Sequence, residues 1–366
     1  MREDLRNQRY KVDKVESKAL EGNPLKVTNV RDVSIYLPPS YFEDETTKFP
    51  VIYLLHGYGG SITDLIVGTQ ADFKRNYPLI LRILLKKVFS NLTTFEKLDQ
   101  LIMSKEIPPF ILVQPDGSLR IHDMFETKNP DGSYKMKGSF YVNSPFTGNY
   151  NDFIFEEVPS YIEQKYRVKP QKESRALIGG SMGGYGALLG GMKYPDQYNI
   201  VVALSPLIIP LNLFNVEMMM PIYRKIYGKK KAKAIGQKDI DDIRDSSDLI
   251  FSHNAPVIPT MQKNDGKIIL TNQEGIANWQ TADLTNVILQ YPSAFKDLTL
   301  ILSCDILDEY HFAPEIREFH QVLLNHNIPH EIDIYEDSQA EKISPHTLGI
   351  GNQILPSIKR CLNEIK

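Results

Sequence analysis

Three side-chain types in this chain could act together on a carbonyl: a hydroxyl, an imidazole and a carboxylate. The hydroxyl is Ser181, set in Arg175-Ala-Leu-Ile-Gly-Gly-Ser-Met-Gly-Gly-Tyr-Gly-Ala-Leu-Leu. Here a short apolar run breaks into Gly179-Gly180-Ser181-Met182-Gly183 and continues through small residues, the pattern of a strand that turns abruptly into a helix. Glycines two before and two after the serine remove side chains that would collide at such a turn. Ser181 is then held up at a helix N-terminus, where the backbone N–H of Met182 can face an oxygen that develops negative charge. A serine hydroxyl is a poor nucleophile until a neighbouring base takes its proton and a third group orients that base.

With a serine on a strand-to-helix turn, the expected order along the chain is serine, acid, histidine. His346 follows the last strand candidate and precedes the C-terminal helix candidate, a loop position suited to the base, with capping of that helix as the structural alternative. His320 and His326 fall in or at the end of a helix candidate, His330 leads into a strand, and His253 and His311 lack the right flanking elements. For the acid, the apolar run at 298–304 ends in Asp305-Ile-Leu-Asp308-Glu309. Asp308, on the loop past the strand, is the expected acid; Asp305 is better suited to holding the turn but stays as the alternative, since spacing does not separate them. The second donor to the oxyanion should be the Tyr58 N–H, in His56-Gly57-Tyr58-Gly59-Gly60. His56 precedes the serine and is expected to hydrogen-bond within the sheet edge.

These residues need a scaffold that delivers several loops to one edge. Apolar runs at 33–37, 50–55, 110–114, 176–179, 200–204, 298–303 and 331–335 alternate with helical stretches at 152–166 (kinked at Pro159), 184–193, 314–325 and 347–365. That alternation predicts an α/β fold with a mostly parallel central sheet flanked by helices, and functional loops at the carboxyl ends of its strands. At 366 residues the chain reads as one domain with two insertions, a helical one at 61–107 and a cap-like one at 207–296. Met218-Met219-Met220 and Trp279 in the second insertion are expected either as its core packing or as an apolar cap over the site.

A net charge of −3 leaves no electrostatic footprint for nucleic acid, and the basic run at 229–233 reads as a solvated helix face. Two cysteines exclude a disulfide scaffold, and Cys304 is expected as a buried thiol. No apolar stretch reaches membrane-spanning length, so no membrane association is expected. Met1 is followed at once by Arg2, Glu3 and Asp4, so no signal peptide is expected in the chain as it stands; a soluble protein, cytoplasmic or exported, is the expectation. His311, Glu315 and the nearby carboxylates do not form a recognised ligand spacing, so neither metal nor cofactor is expected.

The chain resembles the esterase group of α/β-hydrolases that contains feruloyl and acetyl-xylan esterases, enterochelin esterases, S-formylglutathione hydrolases and mycolyltransferases. The stretches that carry the resemblance are Tyr36-Leu-Pro-Pro-Ser-Tyr41, Phe49-Pro-Val-Ile-Tyr-Leu-Leu-His-Gly-Tyr-Gly-Gly60, Ile107-Pro-Pro-Phe-Ile-Leu-Val-Gln-Pro-Asp-Gly117, Gly138-Ser-Phe-Tyr-Val-Asn-Ser-Pro-Phe-Thr-Gly148 and the serine turn. It implies an α/β-hydrolase fold, Ser181 as nucleophile, Asp308 as acid, His346 as base, and Tyr58 and Met182 as oxyanion donors. The chain departs from the group's usual pattern at Asp305, where glycine is common, and at Ser344-Pro345, where Gly-Gly is common. The stretch around Phe140 is most similar to the feruloyl and carbohydrate-esterase branch. That implies a cofactor-free serine hydrolase of feruloyl, aryl or acetyl esters of carbohydrates, with Tyr58, Phe140, Tyr141 and Trp279 as aromatic substrate contacts. An acyltransferase with an alcohol acceptor and a non-catalytic binding protein on the same fold are the alternatives. Oligomeric state is not legible in the sequence.

Overall fold

Strand-forming apolar runs and the helices between them assemble one eight-stranded sheet. The computed structural model describes residues 9–23, 28–60, 62, 94–119, 138–145, 147–214, 250–251, 261–264, 267–270, 273–337 and 345–365. The strands are β1 (Tyr10–Glu16), β2 (Val30–Tyr36), β3 (Val51–Leu55), β4 (Ile111–Pro115), β5 (Arg175–Gly180), β6 (Ile200–Leu204), β7 (Thr299–Asp305) and β8 (Glu331–Tyr335), in the spatial order β1-β2-β4-β3-β5-β6-β7-β8. β2 pairs antiparallel with β1 and β4, and every other neighbouring pair is parallel. This is the α/β-hydrolase fold. β3, β4, β5 and β6 are buried along their whole length, as parallel strands covered on both faces must be. β1 was not anticipated: its Lys11, Asp13, Lys14 and Glu16 hide an edge strand whose register is set by pairing to β2 rather than by an apolar face.

The helices form two layers. On one face, α2 (Val158–Lys165), α3 (Met182–Lys193) and α6 (Phe312–Asn325) pack on Val51, Tyr53, Leu55, Leu177 and Val201. On the other, α1 (Thr94–Met103) and α7 (Pro345–Glu364) pack on Ile52, Leu54, Ile178 and Val202, the residues one step along the same strands. Pro159, the expected kink position, lies inside one continuous helical run from Tyr150 to Lys165, directly after a widened turn of π type at Phe153–Glu157. α7 begins two residues before the expected start, because Pro345 is well suited to the first helical position.

Of the helical insertion, residue 61 and residues 63–93 lie outside the described residues, and α1 follows them. The second insertion is described as a 3-10 turn at Pro210–Phe214, a two-stranded ribbon of Met261–Asn264 with Lys267–Leu270, then α4 (Gln273–Gln280) and α5 (Leu284–Val287). Met218, Met219, Met220, the basic run at 229–233 and His253 lie outside the described residues. Among the described residues, no helix is long and apolar enough to cross a membrane.

A buried ion pair ties β2 to the loop after β4. Arg31 Nη2 donates to Asp116 Oδ2 at 2.7 Å and to Ser118 O at 2.5 Å, and Ser118 N–H donates to Asp116 Oδ1 at 2.9 Å. Burial pushes the Asp116 pKa up, but the charge of Arg31 outweighs it, so the carboxyl is held below its ordinary value. Asp116→Asn should therefore destabilise the fold by about 3 kcal/mol at neutral pH, because Arg31 is left buried without its counter-charge. A depressed acid pKa contributes stability above the unfolded value, so the difference from wild type should shrink as pH falls below about 4. Urea unfolding at pH 7 and pH 3 measures both.

Candidate active site

The turn at residues 179–183 is set by steric exclusion. Ser181 adopts φ 57° and ψ −119°, a backbone region that costs a side-chain-bearing residue of order 1–3 kcal/mol. Two hydrogen bonds hold it there: Ser181 N–H donates to Leu204 O at 2.9 Å, and Tyr185 N–H donates to Ser181 O at 3.1 Å. A Cβ on Gly179 would lie 1.9 Å from Gly183 O, and one on Gly183 would lie 2.2 Å from Leu55 O. Both obstacles are backbone and cannot yield, so the glycine spacing read in the sequence is a packing requirement. Ser181 is the N-cap of α3 and makes no side-chain capping bond. The first N–H groups of the helix, Met182 included, have no acceptor within the helix and point towards the serine end.

Asp308 and His346 meet. His346 Nδ1 lies 2.6 Å from Asp308 Oδ2, and both side chains are buried. The ionised carboxylate can only accept, so Nδ1 carries the proton and Nε2 is left as the basic nitrogen. Asp308 Oδ1 also accepts the Tyr310 N–H at 2.9 Å. The rings of Tyr310 and Phe312 lie against the imidazole, with centroids 4.6 and 5.4 Å from it. Asp305 is engaged elsewhere: its Oδ1 accepts the Leu307 N–H at 2.8 Å and its Oδ2 the Asp337 N–H at 3.0 Å. It holds the turn, and Asp308 faces the histidine. His346 is in the first turn of α7 rather than in a loop, the consequence of the early start at Pro345. One turn further on, Ile350 Cγ2 would lie 2.6 Å from a Cβ on Gly180, the residue before the serine. The same face of α7 thus carries His346 and rests on the elbow.

The loop after β3 reaches the serine from the other side. A Cβ on Gly57 would be 3.4 Å from Ser181 Cβ, which brings the Gly57-Tyr58 backbone alongside Ser181. His56 braces this loop: Gly117 N–H donates to its Nε2 at 3.0 Å, and its Nδ1, which must then carry the proton, donates to Gly57 O at 2.9 Å. Tyr141 completes the brace, its hydroxyl donating to His56 O at 2.8 Å.

Three of the four aromatic residues expected to touch substrate are buried. Tyr141 is fully buried beside Gly117 and Gly186, and its hydroxyl is used on His56. Trp279 is also fully buried, stacked edge-on against Phe251 at 5.3 Å. Tyr141 is a core residue because Gly117 and Gly186 leave room for its whole ring, and Trp279 joins the same core through Phe251, which fits the core-packing expectation for the second insertion. Phe140 is buried as well, packed against Tyr58, Tyr185 and Phe251. Tyr58 alone of the four is partly exposed. Glu315, once a candidate metal neighbour, accepts the Ile208 and Ile209 N–H groups at 3.1 and 3.0 Å and the Asn212 amide at 2.8 Å. Burial pushes its pKa up to about 7, and those donors pull against it. The residues that sequence reasoning missed are Ile350 and Glu309. The first was findable from its four-residue spacing to His346 on a helix; the second, whose Oε2 accepts the His346 N–H at 2.7 Å, had no signal beyond adjacency to Asp308.

A family model described as "Putative esterase" matches residues 27–283, more than half of the chain. The S-formylglutathione hydrolase of Mus musculus is 34% identical over 108 residues, covering 28% of this chain and 36% of that protein. An acetyl esterase of Caldicellulosiruptor saccharolyticus is 24% identical over 206 residues, covering 54% of this chain and 59% of that protein. Neither match reaches two thirds of the relative's length. Among solved structures, a ferulic acid esterase is similar with a TM-score of 0.57 at 19% identity, over 97% of this chain and 98% of its own, which is a likeness of fold.

Burial lowers the pKa of His346, but the charge and hydrogen bond of Asp308, with a smaller contribution from Glu309, outweigh it and hold the ring above its ordinary value. Asp308→Asn should therefore lower the His346 pKa by about one pH unit or more, followed by NMR of the ring protons. Asp305→Asn should leave that titration within a few tenths of a pH unit of wild type, since its oxygens serve backbone groups.

Proposed function

Since this chain belongs to the "Putative esterase" family, we propose that it is a serine carboxylic-ester hydrolase that works through an acyl-enzyme. The observation that carries the reading is the His346–Asp308 pair, 2.6 Å apart, on the helix whose next turn packs on the residue before Ser181. In this reading Ser181 Oγ attacks the ester carbonyl carbon while His346 Nε2 takes the hydroxyl proton. The Met182 and Tyr58 N–H groups receive the negative oxygen of the tetrahedral intermediate. Collapse breaks the bond to the leaving oxygen, which takes the proton from His346 and departs as the alcohol. Water then adds to the acyl-serine with His346 again as base, and the carboxylic acid leaves with Ser181 restored. Asp308 keeps Nδ1 protonated and stabilises the imidazolium in both halves.

For the substrate, we propose acetyl and feruloyl or other aryl esters of carbohydrates. The names of the relatives, an acetyl esterase and a ferulic acid esterase, support this range. With Tyr141 and Trp279 in the core, Tyr58 is the aromatic surface left beside the serine for an aryl or sugar group.

The wild type should hydrolyse 4-nitrophenyl acetate and methyl ferulate, and Ser181→Ala and His346→Ala should each lose at least about 1,000-fold in kcat. Because the base must be neutral and its pKa is raised, kcat/KM should climb with pH through a midpoint above about 6.5. Retention of activity in Ser181→Ala would overturn the mechanism. A strong preference for long-chain acyl esters would overturn the substrate range and leave the mechanism standing.

A further inference from the structure

We infer that Glu309 is a positioning residue for this reaction, gripping the backbone of His346 while Asp308, its neighbour in sequence, grips the ring. The inference rests on the proposed function, since it names what holds the base of that mechanism.

Pro345 occupies the first position of α7 and has no N–H to satisfy. The His346 N–H is therefore the first orphan donor of the helix, and Glu309 Oε2 accepts it at 2.7 Å. Glu309 is 9% exposed, so its charge sits close to the positive end of α7 with little water to screen it. The acceptor comes from another element, the loop between β7 and α6, and that loop is itself stiff. Asp305 takes the Leu307 N–H, Asp308 Oδ1 takes the Tyr310 N–H, and Asp308 O takes the His311 N–H at 2.9 Å. A ring held only at Nδ1 can still swing as its Cα moves. Holding the Cα through the main chain removes that freedom, and both holds belong to one rigid loop.

Glu309 also adds a second negative charge near the imidazole, and it acts in the same direction as Asp308 on the histidine pKa. Among the described residues, the other titratable groups around this turn include Tyr310, whose ring lies against the imidazole, Asp305 and Cys304 on β7, and Tyr335 on β8, whose hydroxyl would lie 2.9 Å from a Cβ on Gly349. Burial pushes both the Cys304 thiol and the Tyr335 phenol up, so neither ionises in the range where the histidine titrates. Asp308 and Glu309 are thus the carboxylates that touch His346 directly, one on its ring and one on its main chain.

The test compares wild type, Glu309→Gln and Glu309→Ala by pH profiles of 4-nitrophenyl acetate hydrolysis and by NMR titration of the His346 ring. Glutamine keeps an oxygen for the His346 N–H and loses the charge. Its plateau kcat should stay within about twofold of wild type, while the acid-side midpoint and the ring pKa both fall by up to about one pH unit. Alanine loses both, so kcat should drop about tenfold with KM within about twofold of wild type, as Glu309 does not touch substrate. A kcat in Glu309→Ala as high as in Glu309→Gln would overturn the inference, as would a loss confined to KM. If Glu309→Ala does not fold, Glu309→Leu, which fills similar space without an acceptor, takes its place. If the wild type hydrolyses no ester, hydrogen exchange at the His346 N–H still reads the clamp: faster exchange in Glu309→Ala than in Glu309→Gln would uphold the grip on His346 while the proposed reaction fell, and equal exchange would overturn it.

Discussion

The close approach of a helix to a strand at residues 179–183 is the constraint on which the rest of the site depends. α3 presses on the ends of β3 and β5 so tightly that Gly183 meets Leu55 O and Gly179 meets Gly183 O with no room for a Cβ on either. Only that approach puts a serine into an unfavourable backbone region and keeps it there. The strain at Ser181 is offset locally by the Leu204 and Tyr185 hydrogen bonds and globally by the burial of α3, of whose twelve residues all but Lys193 are buried. The elbow therefore behaves as part of the core that happens to surface at one hydroxyl.

Opposite the elbow, the proposed base is carried by a helix on the other face of the sheet. His346, Ile350, Ile354 and Ile358 recur at four-residue spacing along α7, and the three isoleucines pack into the cluster formed with Ile52, Ile178 and Val202. The proposed base is thus the first member of a stripe whose remaining members are ordinary core. Packing sets the height of the histidine above the sheet, and the loop after β7 sets its orientation. This division explains why the turn-holding Asp305 and the ring-holding Asp308, three residues apart, serve such different ends.

Much of this was legible in the residues. The central strands announced themselves as uninterrupted apolar runs because they are buried on both faces, and the Gly-x-Ser-x-Gly spacing was readable because it records a steric exclusion. β1 was not legible, since an edge strand rich in Lys, Asp and Glu owes its conformation to its partner's hydrogen bonds. The aromatic residues misled for a related reason. Tyr141 and Trp279 lie in polar-looking, loop-like sequence, and what buries them is the space left by Gly117 and Gly186 and the ring of Phe251, none of them near in the chain. The placement of His346 in a helix rather than a loop turned on the conformational preference of one proline. Choosing between Asp305 and Asp308 required knowing which backbone N–H groups lay within reach, a three-dimensional fact with no counterpart in spacing.

The position of His346 at the head of α7 has a consequence for biosynthesis. The hydrogen bonds and backbone contacts that set the Ser181 conformation come from β3, β5, β6 and α3, whereas Asp308 and His346 come from the residues after 299. A growing chain, or one cut short before residue 346, has the serine turn but not the imidazole that the proposed mechanism uses to deprotonate it. In the mechanism proposed above, reactivity towards carbonyl groups therefore waits for α7 to close over the sheet.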